Sequence, residues 1–147
     1  MGFTSAIPYI CATIGMLLWA RHVDRGGSKI GNLAGCCFLA AAGLVASVLA
    51  WSFVPSFIGL TLAVVGVTAA RAIFWTIPAR FLTGVAAAGG LAFINSVGAF
   101  GGFAGPFAMG WLKDFTGSFN AGLVGMAVLG LLSAILTLTL RIVMREE

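Results

Sequence analysis

Long apolar segments separated by short polar breaks follow one another along this chain. A helix needs about 20 apolar residues to cross a hydrocarbon layer about 30 Å thick, and five segments meet that length. The pattern therefore predicts an all-α, polytopic membrane protein with five transmembrane helices. They cover residues 2–20, 30–53, 57–81, 85–112 and 119–142.

The composition agrees with this class and excludes several others. Hydrophobic residues make up 61% of the chain, charged residues make up 8%, and the mean hydropathy is +1.11, which is far from the mixture found in soluble domains. The net charge of +4 comes from dispersed basic residues, so we expect no nucleic-acid partner. Cys11, Cys36 and Cys37 lie in apolar segments without ligand spacing, so we expect no metal and no cofactor.

The basic residues between the spans predict the topology. By the positive-inside rule, the side with more Lys and Arg faces the cytoplasm. We therefore expect a multi-pass protein of the cell inner (plasma) membrane, with the N-terminus outside and the C-terminus cytoplasmic. An odd number of spans that begins outside indicates a piece of a larger transporter or a truncated reading frame. Arg21, Arg25, Lys29, Arg80, Arg141 and Arg145 fall on one side, and Lys113 falls on the other.

Histidine and carboxylate side chains are absent from the apolar segments. His22, Asp24 and Asp114 lie in breaks, and Glu146 and Glu147 lie in the tail. An intramembrane protease needs a nucleophile with a base, or a metal, at membrane depth, so we predict that the chain is not an enzyme. A small self-contained proton-coupled antiporter is disfavoured too, because it would carry an acidic residue within a span.

The third span contains an arginine, a tryptophan and a proline near its end. Arg71 precedes Pro78 by seven residues, or about 10 Å of helix, so it either snorkels to the interface or binds an anion. Pro78 removes a helical hydrogen bond and is expected to kink the span. Trp75 then either packs against a neighbouring helix or faces a cavity at the kink.

The fourth span combines two polar residues with glycines at helical spacing. Asn95 and Ser96 lie near mid-membrane, where they either bond to a neighbouring helix or line a polar path. Gly105 and Pro106 are expected to form a flexible bend. Four-residue glycine spacing is typical of close helix contact, and it is carried by Gly98 with Gly102 and by Gly101 with Gly105.

Trp75 and Asn95 fall at similar predicted depths because the third and fourth spans run antiparallel. An aromatic platform beside an amide can hold a polyhydroxylated or carboxylated solute. We therefore take Trp75, Asn95, Ser96 and Arg71 as candidate substrate-binding residues.

The first polar break, residues 20–29, is charged and rich in glycine. Its glycines permit a tight turn, and Asp24 can accept hydrogen bonds from the amides at the start of the next helix. An ordinary charged turn that obeys the positive-inside rule explains the same residues.

This break also resembles a motif of the major facilitator superfamily of transporters. The superfamily's cytoplasmic loop has the form G-x-x-x-D-R-x-G-x-K/R, and Ala20 stands here in place of the first glycine. The matching residues are Asp24, Arg25, Gly27 and Lys29.

Two further motifs resemble the superfamily's anion:cation symporter branch, which includes tartrate, phthalate and sugar-acid transporters. The residues from Phe74 to Pro78 resemble its tenth-helix signature F-W-x-x-P. The fourth span resembles its eleventh-helix pattern N-S-x-G-N-x-G-G-F-x-G-P, with Ala99 in place of the second asparagine. The matching residues are Asn95, Ser96, Gly98, Gly101, Gly102, Phe103, Gly105 and Pro106.

The resemblance implies that residues 1–147 form a partial C-terminal bundle, with the five spans corresponding to helices 8–12 of the major facilitator fold. It implies transport of small organic anions, such as tartrate or sugar acids, by symport with a proton or another cation. It also implies that Trp75 and Asn95 contact the substrate. The N-terminal half, which carries the coupling acids in the family, is then the missing partner, so we expect the chain to be inactive alone. The alternative is a noncatalytic membrane subunit, or an inert truncated remnant, that assembles in the lipid bilayer through its glycine-rich helix faces.

Overall fold

The computed structural model describes residues 2–78 and 83–143 and confirms the all-α class. Within these residues, five helices are long and apolar enough to cross a membrane. The basic residues Arg80 and Arg145, used in the topology prediction, lie outside the described part of the chain. The helices are α1 (Gly2–Asp24), α2 (Lys29–Leu49), α3 (Phe53–Trp75), α4 (Gly84–Thr116) and α5 (Phe119–Val143).

The predicted break at residues 54–56 was wrong, because α2 ends at Leu49 and α3 begins at Phe53. Two other helices run past the ends that the apolar pattern predicts. Helix α1 continues to Asp24, beyond the predicted end at residue 20, and α4 continues to Thr116, beyond residue 112. The carboxylates of Asp24 and Asp114 therefore belong to helix ends, and their prediction as turn residues was wrong. The apolar pattern marks where a helix leaves the lipid, whereas polar residues can continue the same helix into the interface.

Helix α2 is the central helix of the bundle. It packs against α3 and α5, while α1 packs against α3 and α4 packs against α5. A buried cluster joins one end of α1, α2 and α3, so these three helices share a core at that end. Its members are Val23, Leu33, Cys36, Ala69 and Ile73.

Small residues bring α2 and α3 into backbone contact. A Cβ built on Gly43, Gly59 or Gly66 would lie 2.6–2.7 Å from a backbone nitrogen of the facing helix. Nothing larger than hydrogen fits at these positions. Helices in lipid associate through such close packing, because the hydrophobic effect gives little drive between them.

Most hydroxyl groups within the helices bond to their own helix. The side chain donates to the carbonyl oxygen four residues earlier, which satisfies the hydroxyl without a partner on another helix. The bonds of this kind in α3 and α5 are Thr61 to Phe57 (2.8 Å), Thr68 to Val64 (2.6 Å), Ser133 to Leu129 (2.9 Å), Thr137 to Ser133 (2.7 Å) and Thr139 to Ile135 (3.0 Å).

Helix α4 is the most exposed helix of the bundle. None of its residues from 87 to 116 is buried. A Cβ built on Gly98, Gly101, Gly102 or Gly105 meets nothing within 4 Å. These glycines make no close helix contact in the described part of the chain. Their role in helix packing therefore stays a prediction, because no other described helix covers this face of α4.

Candidate functional site

A cavity of about 680 Å³ lies between α3 and α4. Helix α3 contributes Arg71, Phe74 and Trp75 to its wall, and α4 contributes Asn95 among residues 93–102. Three of the four predicted substrate-binding residues, Arg71, Trp75 and Asn95, therefore lie around one space.

The α3 wall is formed by the last turn of that helix. Arg71, Phe74 and Trp75 are three and four residues apart, which places them on one helix face. The rings of Phe74 and Trp75 meet edge to face, with centroids 5.9 Å apart and planes at 73°. Trp75 is 37% exposed, so one side of its indole is open to the cavity.

Helix α3 ends at Trp75, and Pro78 is helical again after the turn at residues 76–77. The remainder of the predicted span, residues 79–81, lies outside the described residues, so the kink stays a prediction. A proline ring clashes with the carbonyl four residues earlier, which here belongs to Phe74. The chain leaves the α-helical pattern before that point. The amides of Thr76 and Ile77 donate to Ile73 and Phe74, three residues back, both at 3.0 Å.

Two candidate residues lie close to the end of α3. Trp75 is the last residue of the helix. Arg71 lies four residues before it, or about 6 Å along the helix axis, and its side chain lines the cavity.

Part of the α4 wall is formed by small residues, beside Phe93, Ile94 and Val97. Gly98, Ala99 and Gly102 line the cavity beside Asn95. Because the two glycines lack a Cβ, the cavity extends close to the helix backbone. Two of the predicted packing glycines thus border a space that a solute can fill.

Ser96 does not line this cavity. Its hydroxyl donates to the carbonyl of Ala92 at 2.9 Å. This hydroxyl is therefore bonded within its own helix, whereas the neighbouring Asn95 lines the cavity. The structure gives no support for a role of Ser96 in this site.

Arg71 gives the cavity a positive charge, and no carboxylate lies among the described residues that line it. A guanidinium stays protonated and can hold a carboxylate with two parallel hydrogen bonds. The Asn95 amide can donate to or accept from a hydroxyl, and the Trp75 ring offers an apolar face. Together these groups suit a small hydroxylated carboxylate.

The described part of the chain contains no evident metal-binding site. Within it, no group of three or more His, Cys, Asp or Glu side chains is placed to hold a metal ion. The arrangement around the cavity therefore offers binding groups for a solute and not a metal-ligand set.

The four loop-motif residues lie in and beside the turn between α1 and α2. Asp24 ends α1, Arg25 and Gly27 lie in the turn, and Lys29 begins α2. The two glycines of the turn differ in their surroundings. Gly26 adopts φ +117°, which favours glycine. A Cβ on Gly27 would lie 2.9 Å from the Asn32 side-chain nitrogen.

The predicted capping role of Asp24 was wrong. Ser28 caps α2, because its hydroxyl accepts a hydrogen bond from the Gly31 amide at 3.3 Å. Asp24 ends α1, four residues before Ser28. A serine directly before a helix is a strong capping signal, and it was overlooked in favour of the charged residue.

Sequence reasoning also missed a second cavity, of about 570 Å³, between α4 and α5. Met109, Lys113, Phe119 and Met126 line it, and the Lys113 ammonium nitrogen lies 5.2 Å from the centre of the Phe119 ring. Pro106 also borders this cavity and lies inside α4. Its effect on the bending of α4 stays a prediction.

Several proteins named as transporters are similar to this chain. It is 49% identical over 140 residues to a protein of Agrobacterium vitis named "Putative tartrate transporter", a match that covers 95% of this chain and 31% of that protein. It is 45% identical over 140 residues to a quinolone resistance transporter of Acinetobacter baumannii, covering 93% of this chain and 32% of the relative.

A third relative is the inner membrane transport protein RhmT of Escherichia coli, 33% identical over 152 residues, with 97% of this chain and 34% of the relative covered. The chain thus spans about a third of the length of the curated relatives that it matches. No family model and no solved structure matches the chain.

Proposed function

We propose that this chain forms the anion-binding part of a membrane transporter for small organic anions. Nearly its whole length is homologous to about a third of several transporters of the major facilitator superfamily, which confirms the resemblance found in the sequence. The observation that carries the proposal is the cavity between α3 and α4, where Arg71, Trp75 and Asn95 meet. Arg71 holds a carboxylate, Asn95 bonds to a hydroxyl, and Trp75 covers an apolar side of the solute.

Hydroxylated dicarboxylates of the tartrate type fit this chemistry. Two of the relatives are named for tartrate, and the cavity offers one positive charge together with a hydrogen-bonding amide. A cavity of about 680 Å³ lies within the range of about 300–1,000 Å³ typical of small-molecule sites.

Transport by this proposal is coupled to a proton or another cation. The described residues that line the cavity include Arg71 but no carboxylate, so a group that takes up the coupling cation belongs to another part of the transporter. Transport also requires two parts that move about a shared site. We therefore propose that the remaining two thirds of a relative's length supply these groups and that the chain is inactive alone.

The proposed orientation places the C-terminus and the α1–α2 turn in the cytoplasm. Basic residues gather at one end of the bundle, since a Cβ on Gly31, in the first turn of α2, would lie 3.0 Å from the Arg141 guanidinium. Arg25 and Lys29 belong to the same end. This concentration of positive charge favours the cytoplasmic side. Alkaline phosphatase fused after residue 143 should be inactive in cells, and an active fusion would reverse the orientation.

The test of transport uses a chimaera. The aligned 140 residues of an Agrobacterium vitis relative are replaced by this chain, and uptake of labelled tartrate is measured in cells. The chimaera should accumulate tartrate, and a protonophore should abolish accumulation if protons drive it. A chimaera that reaches the membrane in normal amounts but transports neither tartrate nor other hydroxy acids contradicts the proposal.

The neighbouring residues Asn95 and Ser96 give a matched pair of variants. Asn95→Ala removes an amide that lines the cavity, and the loss of a neutral hydrogen bond to a solute hydroxyl lowers uptake about 2- to 10-fold. Ser96→Ala removes a hydroxyl that bonds to its own helix, so uptake should change less than about twofold. Equal uptake by both variants, at equal expression, removes Asn95 from the site.

The uncovered glycine face of α4 favours a second function, namely assembly with another membrane segment. Gly101 has open space around its Cβ position, and smooth glycine surfaces are typical of helix contacts in lipid. If the chimaera does not transport but the chain still associates with the rest of the relative, a noncatalytic subunit is the better description.

A further inference from the structure

A groove of about 440 Å³ lies between α1 and α2, away from the α3–α4 cavity. Gly15, Leu18, Trp19 and His22 follow one another along one face of α1, and Asn32 of α2 completes the lining. From Gly15 to His22 the groove runs about 10 Å along the helix. It changes from an apolar end at Gly15 and Leu18 to a polar end at His22.

The wall on the α2 side is fixed by hydrogen bonds within the chain. The Trp19 indole N–H donates to the Asn32 side-chain oxygen at 3.1 Å, and the Asn32 amide donates to the Ser28 carbonyl at 2.9 Å. With its N–H engaged, Trp19 presents an apolar ring face to an occupant. The exposed His22 imidazole is then the polar group of the lining that lies at the open end.

The polar end of the groove borders the most basic part of the chain. Arg21 and Arg25 flank His22, Lys29 begins α2, and Asp24 is the one carboxylate in this stretch. Two net positive charges therefore lie next to His22. At the apolar end, Leu18 is 60% exposed.

We propose that this groove binds an anionic phospholipid. An acyl chain lies along Leu18 and the Trp19 ring, and the phosphate takes a hydrogen bond from His22 beside the guanidinium groups of Arg21 and Arg25. Basic pockets between transmembrane helices suit anionic headgroups because the positive charge adds to apolar contact with the lipid tail. A soluble phosphate compound would leave the apolar end of the groove uncovered.

The test measures lipid retained by the purified 147-residue chain in neutral detergent, using native mass spectrometry. Phosphatidylglycerol and phosphatidylcholine with the same acyl chains are added in equal amounts. Phosphatidylglycerol should be retained at least fivefold more, since one basic side chain near a headgroup is worth about that factor. Equal retention of the two lipids overturns the proposal.

Variants of two neighbouring leucines distinguish lipid binding in the groove from lipid binding elsewhere on α1. Leu18→Trp fills the groove and should lower phosphatidylglycerol retention about fivefold or more. Leu17→Trp adds the same ring to a neighbouring leucine that is 53% exposed and does not line the groove, so retention should be unchanged. Equal retention by both variants places the lipid elsewhere.

A charge variant keeps the test decisive if Leu18→Trp fails to fold. Arg25→Gln changes an exposed turn residue and should reduce the preference for phosphatidylglycerol about fivefold, with phosphatidylcholine retention unaltered. Glycerol 1-phosphate should not compete. Competition by this soluble headgroup at the lipid's own concentration identifies a phosphate site without a role for the acyl chain and overturns the assignment of a lipid.

Discussion

Glycines serve opposite purposes in two regions of this molecule. Between α2 and α3, Gly43 and Gly59 let the backbones touch, and any Cβ there would overlap the facing helix. On α4, Gly98 and Gly102 have open space around them and border a cavity. Small residues at helical spacing thus indicate a smooth surface, but the surface can be covered by a helix or left for a solute.

The largest expected effect comes from disrupting the close contact between α2 and α3. Gly59→Leu forces a side chain into a space where a Cβ already lies 2.7 Å from the Ser47 backbone, so the free energy of unfolding should fall by about 3 kcal/mol. Reversible unfolding in mixed micelles, followed by circular dichroism, measures the change. Gly101→Leu on α4 is the control and should change stability by less than about 0.5 kcal/mol. Similar losses in both variants refute the distinction between the two regions.

A smaller effect is expected from filling the cavity beside α4. Gly98→Val places two methyl groups in the cavity, so tartrate uptake by the chimaera should fall about tenfold, or about 1.4 kcal/mol, with no loss of stability. Gly89→Val adds the same groups to α4 where a Cβ also meets nothing but outside the cavity lining. Uptake that falls equally in both variants would indicate a general effect of valine on α4.

The contact between α1 and α2 depends on one hydrogen bond more than on close packing. Trp19→Phe leaves the Asn32 oxygen without its donor, and the free energy of unfolding should fall by about 1 kcal/mol. Trp51→Phe is the control, because Trp51 is fully exposed between α2 and α3. A loss as large as that of Gly59→Leu would show that this bond stabilises the bundle as strongly as the glycine contact.

The smallest effects are expected for hydroxyl groups in either region. Thr68→Val in α3 and Ser96→Ala in α4 each remove a hydroxyl bonded to its own helix, so stability should change by less than about 0.5 kcal/mol. The same unfolding measurement checks both. If Thr68→Val alone lowered the free energy of unfolding by more than about 1 kcal/mol, the Thr68 hydroxyl would contact a neighbouring helix.

The existence of the five helices follows from the sequence because each apolar segment has the length that a bilayer requires. Their ends follow less well. Asp24 continues α1 although it is charged, and α3 ends at Trp75, three residues before Pro78. Hydropathy reports the surroundings of a residue, whereas a helix ends where backbone hydrogen bonds can no longer form.

The candidate site was predictable where the argument used position along antiparallel helices. That reasoning brought Trp75 and Asn95 together, and both line the cavity. Ser96 does not line it, and its proposed contact with a substrate stays a prediction.

The sequence argument also missed the glycines that make the close contact. Around Gly43 and Gly59, the other small residues are mostly alanine, serine and cysteine. A search for glycines four residues apart therefore does not find this contact. Counting all small residues on both helices would have found them. Which smooth face meets a partner depends on the arrangement of the whole bundle, and no single segment contains that information.

The hydroxyl groups of α5 also bear on how this chain enters a membrane during synthesis. The translocon releases each segment into lipid according to the polarity that the segment exposes. The hydroxyls of Ser133, Thr137 and Thr139 donate to carbonyl oxygens one turn earlier in the same helix. They therefore need no hydrogen-bond partner from a neighbouring helix. Helix α5 can thus partition into the bilayer as a finished unit, and its assembly with α2 and α4 becomes a separate, later event within the lipid.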